Sequence, residues 1–279
     1  MIGGKHRLLV GDCTVPENVA RLMGDVKADL VCTDPPYGVD FKRGQFITDP
    51  SRRSSRARGV GDDIANDDRK AEDQQEFMRS VFVLAKAHVR PACSVYMWSA
   101  TLAEGSHSML GLSAAGVHIQ SQLVWLKNNL VLGIADYHWK HEICWYGWYE
   151  GAAHRWFGER TKTTILEFAR VNSTEHPNEK PVDLIAHLIE NSSLAGEIVL
   201  DPFFGSGTTL VAAHRLGRVC YGCEIDPRYA DIILKRAEAE GLTCEREEEG
   251  RKAEAGSPAE GRREARPRGG RGGAGAAPR

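Results

Sequence analysis

The chain has 279 residues, of which 42% are apolar and 27% charged, which is typical of a globular protein with one α/β domain and some additional segments. No run of residues approaches the roughly 18 apolar residues of a membrane span, and the first residues lack a signal-peptide core, so we expect neither a membrane protein nor an exported one. The seven cysteines are scattered through apolar segments, which predicts reduced thiols in the cytoplasm.

The net charge of −2 conceals two basic segments. Residues 42–58 have six basic side chains against one acidic side chain, and residues 251–279 have eight against three. Local basic arms of this kind are typical of chains that contact nucleic acid even when the global charge is negative. The second segment is also rich in Gly and Ala, so we predict a disordered Arg/Gly/Ala-rich tail over 245–279, where solvated disorder alone also explains the charges.

Short apolar runs predict strands, and a 3.6-residue periodicity predicts helices. In chain order, the predicted elements are a strand at 6–11, a helix at 16–24, a strand at 28–33, a helix at 72–88, a strand at 93–99, a helix at 102–115, strands at 118–127 and 141–148, a helix at 182–189, a strand at 198–200, a helix at 210–216, a strand at 219–223 and a helix at 227–239. Residues 38–70 show no periodicity and predict a long, mobile, basic loop. The alternation predicts a doubly wound α/β fold with a mostly parallel sheet.

The tetrapeptide Asp34-Pro35-Pro36-Tyr37 directly follows the predicted buried strand at 28–33. Open α/β sheets bind their ligands at the carboxyl ends of the strands. The two prolines remove backbone donors and fix φ, so nearby carbonyls are free to accept hydrogen bonds beside the flat face of the tyrosine. This arrangement suits a planar group with an NH₂, such as a nucleobase. On its own, the tetrapeptide is also typical of an ordinary strand-ending turn.

A second motif lies at 201–209, where Asp-Pro-Phe-Phe-Gly-Ser-Gly-Thr-Thr joins a predicted strand to a predicted helix. The glycines let backbone approach a ligand, and the helix N-terminus offers unpaired N–H groups. Glu224 ends the next predicted strand, where an acid usually accepts ribose hydroxyls in such units. The segment lacks both the Gly-Lys-Ser/Thr of a P-loop and a full G-x-G-x-x-G. It therefore predicts a nucleotide-type site that does not bind phosphate through a P-loop.

These motifs, with Asn178-Glu179-Lys180-Pro181 between them, resemble the DNA amino-methyltransferases that use S-adenosylmethionine. The acidic-proline motif precedes the glycine turn, an order that resembles the β group of that family. The resemblance covers roughly residues 6 to 241 and implies the Rossmann-like methyltransferase fold with long DNA-facing loops. It places a methyltransferase domain at 1–244, with an aromatic-rich region at 128–160 that contributes to target recognition or to core and dimer packing.

The resemblance also implies roles for individual residues. Asp34 and the carbonyl of Pro35 would accept hydrogen bonds from the exocyclic amine of a flipped base, and Tyr37 would stack on that base. Catalysis would rest on Asp34, Pro35, Pro36 and Tyr37. The cofactor would be bound by Asp12, Cys13, Asp34, Lys180, Asp201, Phe203, Gly205, Ser206, Gly207, Thr208 and Glu224.

Within that set, Asp12 would bind the adenine amine of the cofactor, Glu224 its ribose, and Lys180 its carboxylate or the turn itself. The phosphates and the target of double-stranded DNA would be contacted by Lys42, Arg43, Arg52, Arg53, Arg56, Arg58, Lys127 and Asn128. Family members often dimerise, so a homodimer is a possible assembly of this chain. We expect no metal site, because Cys220 and Cys223 form a C-x-x-C on a predicted strand without a second pair.

The predicted reaction is direct transfer of a methyl group to adenine N6. Asp rather than Ser at position 34 favours adenine within the family, and cytosine N4 is the alternative. Cytosine C5 chemistry would require a nucleophilic cysteine in a Pro-Cys pair, and the chain has no such dipeptide. Two further readings stay open, namely a catalytically idle DNA-binding protein that retains the cofactor site, and methylation of RNA or protein.

Overall fold

The architecture comes from a computed structural model that describes residues 1–37, 71–131, 136–170 and 179–246. All of these belong to one compact unit, Met1–Arg246. The basic residues expected in the loop 38–70, and the predicted tail beyond Arg246, lie outside the described residues. Within the described ranges, no helix combines the length and the apolarity that a bilayer crossing requires.

In the part of the chain that the structure describes, eight strands form a single sheet. They are β1 (Arg7–Val10), β2 (Ala28–Thr33), β3 (Val89–Ser99), β4 (Val117–Val131), β5 (Trp139–Tyr149), β6 (Ile165–Glu167), β7 (Ile198–Asp201) and β8 (Val219–Glu224). Six helices are present in the described residues, namely α1 (Pro16–Met23), α2 (Ala71–Lys86), α3 (Ala103–Ala114), α4 (Val182–Ser192), α5 (Thr208–Arg215) and α6 (Pro227–Ala239).

The strand order is β1-β8-β7-β2-β3-β5-β4-β6. Strand β5 runs antiparallel to both of its neighbours, and every other neighbouring pair among the described strands is parallel. Helices α1, α2 and α3 supply the core on one face of the sheet, and α4, α5 and α6 supply it on the other. The prediction of a doubly wound, mostly parallel α/β fold is confirmed.

The local sequence explains how the central elements form. Strand β2 is buried along its whole length, as a continuous apolar run in the middle of a parallel sheet should be. Helix α1 begins with Pro16, whose fixed φ suits the first helical position, and ends at Gly24 with a φ of 59°. Helix α6 begins with Pro227 after Asp226, whose carboxylate accepts a hydrogen bond from the Arg228 N–H.

The sequence did not reveal the edge strand β6, which has three residues with only the middle one buried. So short an edge strand shows neither an apolar run nor a clear alternation. Strand β4 also continues past the predicted end at 127 to Val131, which pairs with Trp139 of β5. The two strands therefore extend as a ribbon beyond Ser99, where β3 ends.

The aromatic-rich region 128–160 divides between core and surface. Tyr146 and Tyr149 are buried, whereas Tyr137 is exposed and Trp139 partly so. Cys220 and Cys223 are free, buried thiols of β8.

The first described residue is hydrogen-bonded to the next-to-last residue of the unit. The Met1 amino group donates to the Glu245 carbonyl at 2.7 Å, and the Glu245 N–H donates to the Met1 carbonyl at 2.9 Å. Ile2 forms an antiparallel bridge with Cys244 beside them. These bonds join the N-terminus to the segment that follows α6.

Candidate active site

A cavity of about 310 Å³ lies at the carboxyl ends of β1, β2, β7 and β8, where a doubly wound sheet places its ligands. Most of the residues predicted from the sequence line it. These are Asp12, Cys13, Asp34, Pro35, Pro36, Tyr37, Lys180, Asp201, Phe203, Gly205, Ser206, Thr208 and Glu224. The structure therefore brings the acidic-proline corner and the glycine turn to one cavity, although they are far apart in the sequence.

Glu224 fixes the shape of the glycine turn. Its Oε2 accepts the Gly205 N–H at 2.8 Å, and its Oε1 accepts the Asp226 N–H at 2.9 Å. Gly205 has a φ of 52°, in the left-handed region that favours glycine. Burial raises the pKa of Glu224, while the two N–H groups oppose that rise. Each carboxylate oxygen keeps a lone pair with which to accept a ligand hydroxyl.

Gly207 differs from its predicted role as a cofactor-lining residue. It has a φ of 78° at the N-cap of α5, and a Cβ there would come within 3.1 Å of the Ile233 side chain. It is absent from the residues that line the cavity. Gly207 therefore allows the turn to pack against α6 and does not itself face the cavity.

Asp201 joins the two halves of the cavity. The Thr33 hydroxyl at the end of β2 donates to its Oδ1 at 2.6 Å, and the Phe203 N–H donates to the same oxygen at 3.1 Å. Burial raises the pKa of Asp201 to about 7, against the opposing effect of hydrogen bonds from Thr209, Thr33 and Phe203. This carboxyl group therefore titrates near neutral pH in the folded protein.

Asp12 and Cys13 lie at the far end of the cavity, after β1. The Thr14 N–H and hydroxyl both donate to Asp12 Oδ1, at 2.8 and 2.7 Å. The rings of Phe77 and Phe203 are 5.8 Å apart and both line this cavity. Phe77 was not selected from the sequence, because it lies on an amphipathic helix whose apolar face predicts only core packing.

The acidic-proline corner is held by its own tyrosine and by side chains from two other parts of the chain. The Tyr37 hydroxyl donates to Asp34 Oδ1 at 2.7 Å, and Lys180 Nζ donates to Asp34 Oδ2 at 2.5 Å. Gln74 of α2 donates to the Pro36 carbonyl at 2.9 Å. Lys180 was predicted to meet the cofactor carboxylate or to stabilise the turn; the structure pairs its ammonium with Asp34 at the cavity wall, and its contact with the cofactor stays a prediction.

Glu142 of β5 is a second acid at this corner, and sequence reasoning missed it. Its Oε2 lies 3.1 Å from Lys180 Nζ, and its Oε1 forms an ion pair with Lys127. Burial raises the pKa of Glu142, but the Lys180 and Lys127 ammoniums outweigh that effect and lower it to about 2. A single acid directly before the apolar and aromatic run of β5 is the signal that would have found it.

Lys127 differs from its predicted place on a DNA-facing surface, whereas the predicted DNA contact of Asn128 stays a prediction. Lys127 is buried, and its ammonium is paired with Glu142 because β4 and β5 are neighbours in the sheet. Asn128 is exposed, but its side-chain oxygen accepts the Arg170 N–H at 3.0 Å. Neither residue lines the cavity.

Arg236 of α6 connects the glycine turn to the segment before α4. Its Nη1 lies 3.0 Å from the Ser206 carbonyl, 3.3 Å from the Thr208 hydroxyl and 2.8 Å from Glu179 Oε1. Glu179 is the sequence neighbour of Lys180, so these contacts link the turn to the acidic-proline corner. This link could not be predicted from the sequence, because a helical arginine usually lies on a solvated face.

The charges that line the cavity are mostly negative, with several carboxylates against Lys180. The lining carboxylates are Asp12, Asp34, Glu142, Glu179, Asp201, Glu224 and Asp226. Carboxylates repel phosphates and accept hydrogen bonds from hydroxyl and amino groups. This set of hydrogen-bond acceptors therefore suits a ligand with ribose hydroxyls, amines and positive charge, and it disfavours a nucleoside phosphate.

Comparison with known proteins supports this description. A family model described as "DNA methylase" matches residues 28–235. The Type II methyltransferase M2.DpnII of Streptococcus pneumoniae is 28% identical over 237 residues, which cover 77% of this chain and 84% of the relative. M2.LlaDCHI of Lactococcus lactis subsp. cremoris is 25% identical over 230 residues, which cover 75% and 81%.

Solved structures share the fold. The M1.HpyAVI complex with S-adenosylmethionine superposes with a TM-score of 0.60 at 20% identity, covering 83% of this chain and 99% of that one. The cytosine-N4-specific PvuII DNA methyltransferase superposes with a TM-score of 0.56 at 13% identity, covering 82% and 85%.

Proposed function

The chain belongs to the N6/N4 DNA methylase family, whose members are S-adenosylmethionine-dependent DNA methyltransferases, and on this premise we propose that it methylates the N6 amine of adenine in DNA. One observation carries the proposal: Asp34 and the glycine turn line the same cavity. A base amine at Asp34 and a methyl donor on the turn would therefore lie side by side.

The cofactor site is proposed from the carboxylates of the cavity. S-Adenosylmethionine, when bound, supplies an electrophilic methyl group on a positively charged sulfur. Glu224 would accept hydrogen bonds from the ribose hydroxyls, and Asp12 from the adenine amine, through the lone pairs that their backbone contacts leave. Asp201 and Asp34 would provide negative charge near the positive sulfur.

Asp34 and Tyr37 would act on the target base. The lone pair of an aromatic amine is delocalised into the ring, so the amine is a weak nucleophile. Hydrogen bonds from its N–H groups to Asp34 and to the Pro35 carbonyl favour a pyramidal nitrogen and localise that lone pair. The nitrogen would form its bond to the methyl carbon as the carbon–sulfur bond of the donor breaks, and Asp34 would stabilise the positive charge that develops on the nitrogen.

The nitrogen must then lose one N–H proton to restore a neutral amine, and Asp34 is the carboxylate that already accepts a hydrogen bond from it. Stacking of the extruded base on Tyr37 helps to offset the cost of flipping it, which is a few kcal/mol. No covalent enzyme intermediate is involved, in keeping with the buried state of Cys13 at the cavity wall.

Adenine is favoured over cytosine because position 34 is Asp. Cytosine N4 is the second candidate, because its amine and ring nitrogen form the same donor–acceptor edge as those of adenine. The relatives M2.DpnII and M2.LlaDCHI come from bacteria, so we propose a methyltransferase that acts on double-stranded DNA in a bacterial cytoplasm.

The proposed DNA contacts are the basic residues of 42–58. The proposed domain organisation is a methyltransferase domain at 1–244 followed by a tail at 245–279. The exposed ribbon end of β4 and β5 is a further candidate, since Tyr137, Trp139 and Lys140 are exposed beyond the end of β3. Lys127 is better assigned to the charge network around Glu142 than to DNA.

The decisive test is nucleoside analysis of unmethylated double-stranded DNA after incubation with the purified chain and methyl-labelled S-adenosylmethionine. We expect label in N6-methyladenine. Label only in N4-methylcytosine would establish the second candidate. Cofactor binding without any label in DNA would contradict both and favour an idle binding protein. Sequencing of the modified bases would then give the recognition site.

A further inference from the structure

We infer that Glu142 is a positioning residue that becomes the main ion-pair partner of Lys180 when the target amine binds Asp34. The inference rests on the proposed function, because it concerns the step in which Asp34 engages a base amine. It assigns a role to a partly buried carboxylate that does not itself need to touch the base.

Lys180 lies between two carboxylates, and its two contacts differ. Its Nζ forms a hydrogen bond with Asp34 Oδ2 at 2.5 Å. It lies 3.1 Å from Glu142 Oε2, a longer contact whose geometry is less favourable for a hydrogen bond. The contact with Glu142 is therefore the weaker of the two ion pairs, and it can shorten when the contact with Asp34 is lost.

Both oxygens of Asp34 are engaged before a base arrives, by the Tyr37 hydroxyl and by Lys180. An incoming amine must compete with these donors. Lys180 is buried, with 5% of its side chain exposed, so water cannot replace an ion-pair partner that its ammonium loses. Among the described residues, Glu142 is the other anion within ion-pair distance of its ammonium. Glu142 can therefore keep Lys180 paired while Asp34 turns to the amine.

Lys127 sets the starting state of this exchange. Its ammonium is paired with Glu142 Oε1, so that carboxylate is held ionised with its other oxygen directed to Lys180. The four groups Lys127, Glu142, Lys180 and Asp34 alternate in charge and are neutral overall. These four groups exchange hydrogen bonds and not protons. Burial lowers the pKa of Lys180, but Asp34 and Glu142 outweigh that effect and raise it, so the ammonium keeps its proton.

The test is a double-substitution cycle of Glu142→Gln and Lys180→Met, measured by steady-state methylation of duplex DNA and by cofactor binding. In the chain with Lys180, Glu142→Gln should lower kcat at least tenfold, because Lys180 then competes with the amine for Asp34. Cofactor affinity should stay within twofold. In the Lys180→Met background the same substitution should change kcat less than twofold. Glu142→Asp, which keeps the charge, should recover most of the activity.

Glu197→Gln is the matched control, because Glu197 is also a partly buried, ion-paired carboxylate but lies at the amino end of β7, paired with Arg155. It should leave kcat unchanged. Thermal unfolding checks that each variant folds, and Lys180→Gln replaces Lys180→Met in the cycle if the latter does not.

An equal loss of kcat from Glu142→Gln in both backgrounds would overturn the inference in favour of a purely structural role, as would wild-type kcat in the single variant. Either result leaves the proposed function intact, because the wild-type chain would still transfer methyl groups. Absence of transfer by the wild-type chain would overturn the proposed function and the inference together, so the two failures are distinguishable.

Discussion

The two ends of the cavity are built in different ways. At the glycine turn, Asp201 and Glu224 accept backbone N–H groups of Phe203, Gly205 and Asp226, so the acids and the turn stabilise one another. At the acidic-proline corner, by contrast, charged side chains contact other charged side chains from distant parts of the chain. The first end is a local backbone structure, and the second is an assembly of side chains.

This difference suggests a division of labour. Backbone N–H groups keep their place in the fold whatever ligand is present, so the turn is suited to steady binding of a cofactor. Side chains that share partners can exchange them, so the corner is suited to a group that arrives, reacts and leaves. Substitutions at the turn should therefore change binding, and substitutions at the corner should change turnover.

The largest expected effect comes from Asp34→Ala. Loss of the carboxylate that accepts the amine should lower kcat by roughly 100-fold to 1,000-fold, by analogy with loss of one preorganised charge-stabilising group. Calorimetric titration should show cofactor affinity within severalfold of the wild type. An equal loss of cofactor binding and of turnover would show that Asp34 is structural, and the proposed division between the two ends would fail.

Glu224→Ala should have the opposite profile. It removes hydrogen bonds to the ribose and releases the Gly205 N–H, and hydrogen bonds to a charged group contribute about 1.5–3 kcal/mol each, so cofactor affinity should fall roughly 10-fold to 100-fold. At saturating cofactor, kcat should recover to within severalfold.

The matched control for that variant is Glu240→Ala, which removes a carboxylate paired with Arg215 on the protein surface. It should leave the dissociation constant unchanged. Wild-type cofactor affinity in Glu224→Ala would refute the assignment of Glu224 to the ribose.

The smallest effect concerns pH. Burial raises the pKa of Asp201 to about 7, so the folded protein holds this proton longer than the unfolded chain does. The contribution of Asp201 to stability should therefore fall as pH rises from about 4 to 7. A positively charged cofactor favours the ionised form, so its affinity should rise up to about tenfold between pH 6 and pH 8. A cofactor affinity that does not change between pH 6 and pH 8 would contradict this prediction. So would an Asp201→Asn variant whose affinity depends on pH as strongly as that of the wild type.

The turn could be predicted almost completely from the sequence, because its parts are contiguous. Asp201 and Glu224 end strands that short apolar runs make visible, and Gly205 lies in the turn that follows the first of them. Gly207 is the exception. A left-handed φ and a close approach to another helix both require glycine, and the sequence does not distinguish a glycine that faces a ligand from one that faces Ile233.

The corner could be predicted only in part. Asp34 and Tyr37 stand in a recognisable tetrapeptide, but Glu142 and Lys127 lie on strands β5 and β4, and their meeting with Lys180 depends on sheet order. Strand order is set by packing over the whole sheet, which single-sequence periodicity does not contain. The same limit explains why Lys127 was expected on DNA and was found buried beside Glu142.

The hydrogen bonds between Met1 and Glu245 have a consequence for how such a fold can be encoded. Since the two ends of the unit touch, a short linker could join them and a new start could be opened at a surface loop without moving a strand. The order of the acidic-proline corner and the glycine turn along the chain can therefore differ between genes, and the three-dimensional site does not depend on that order.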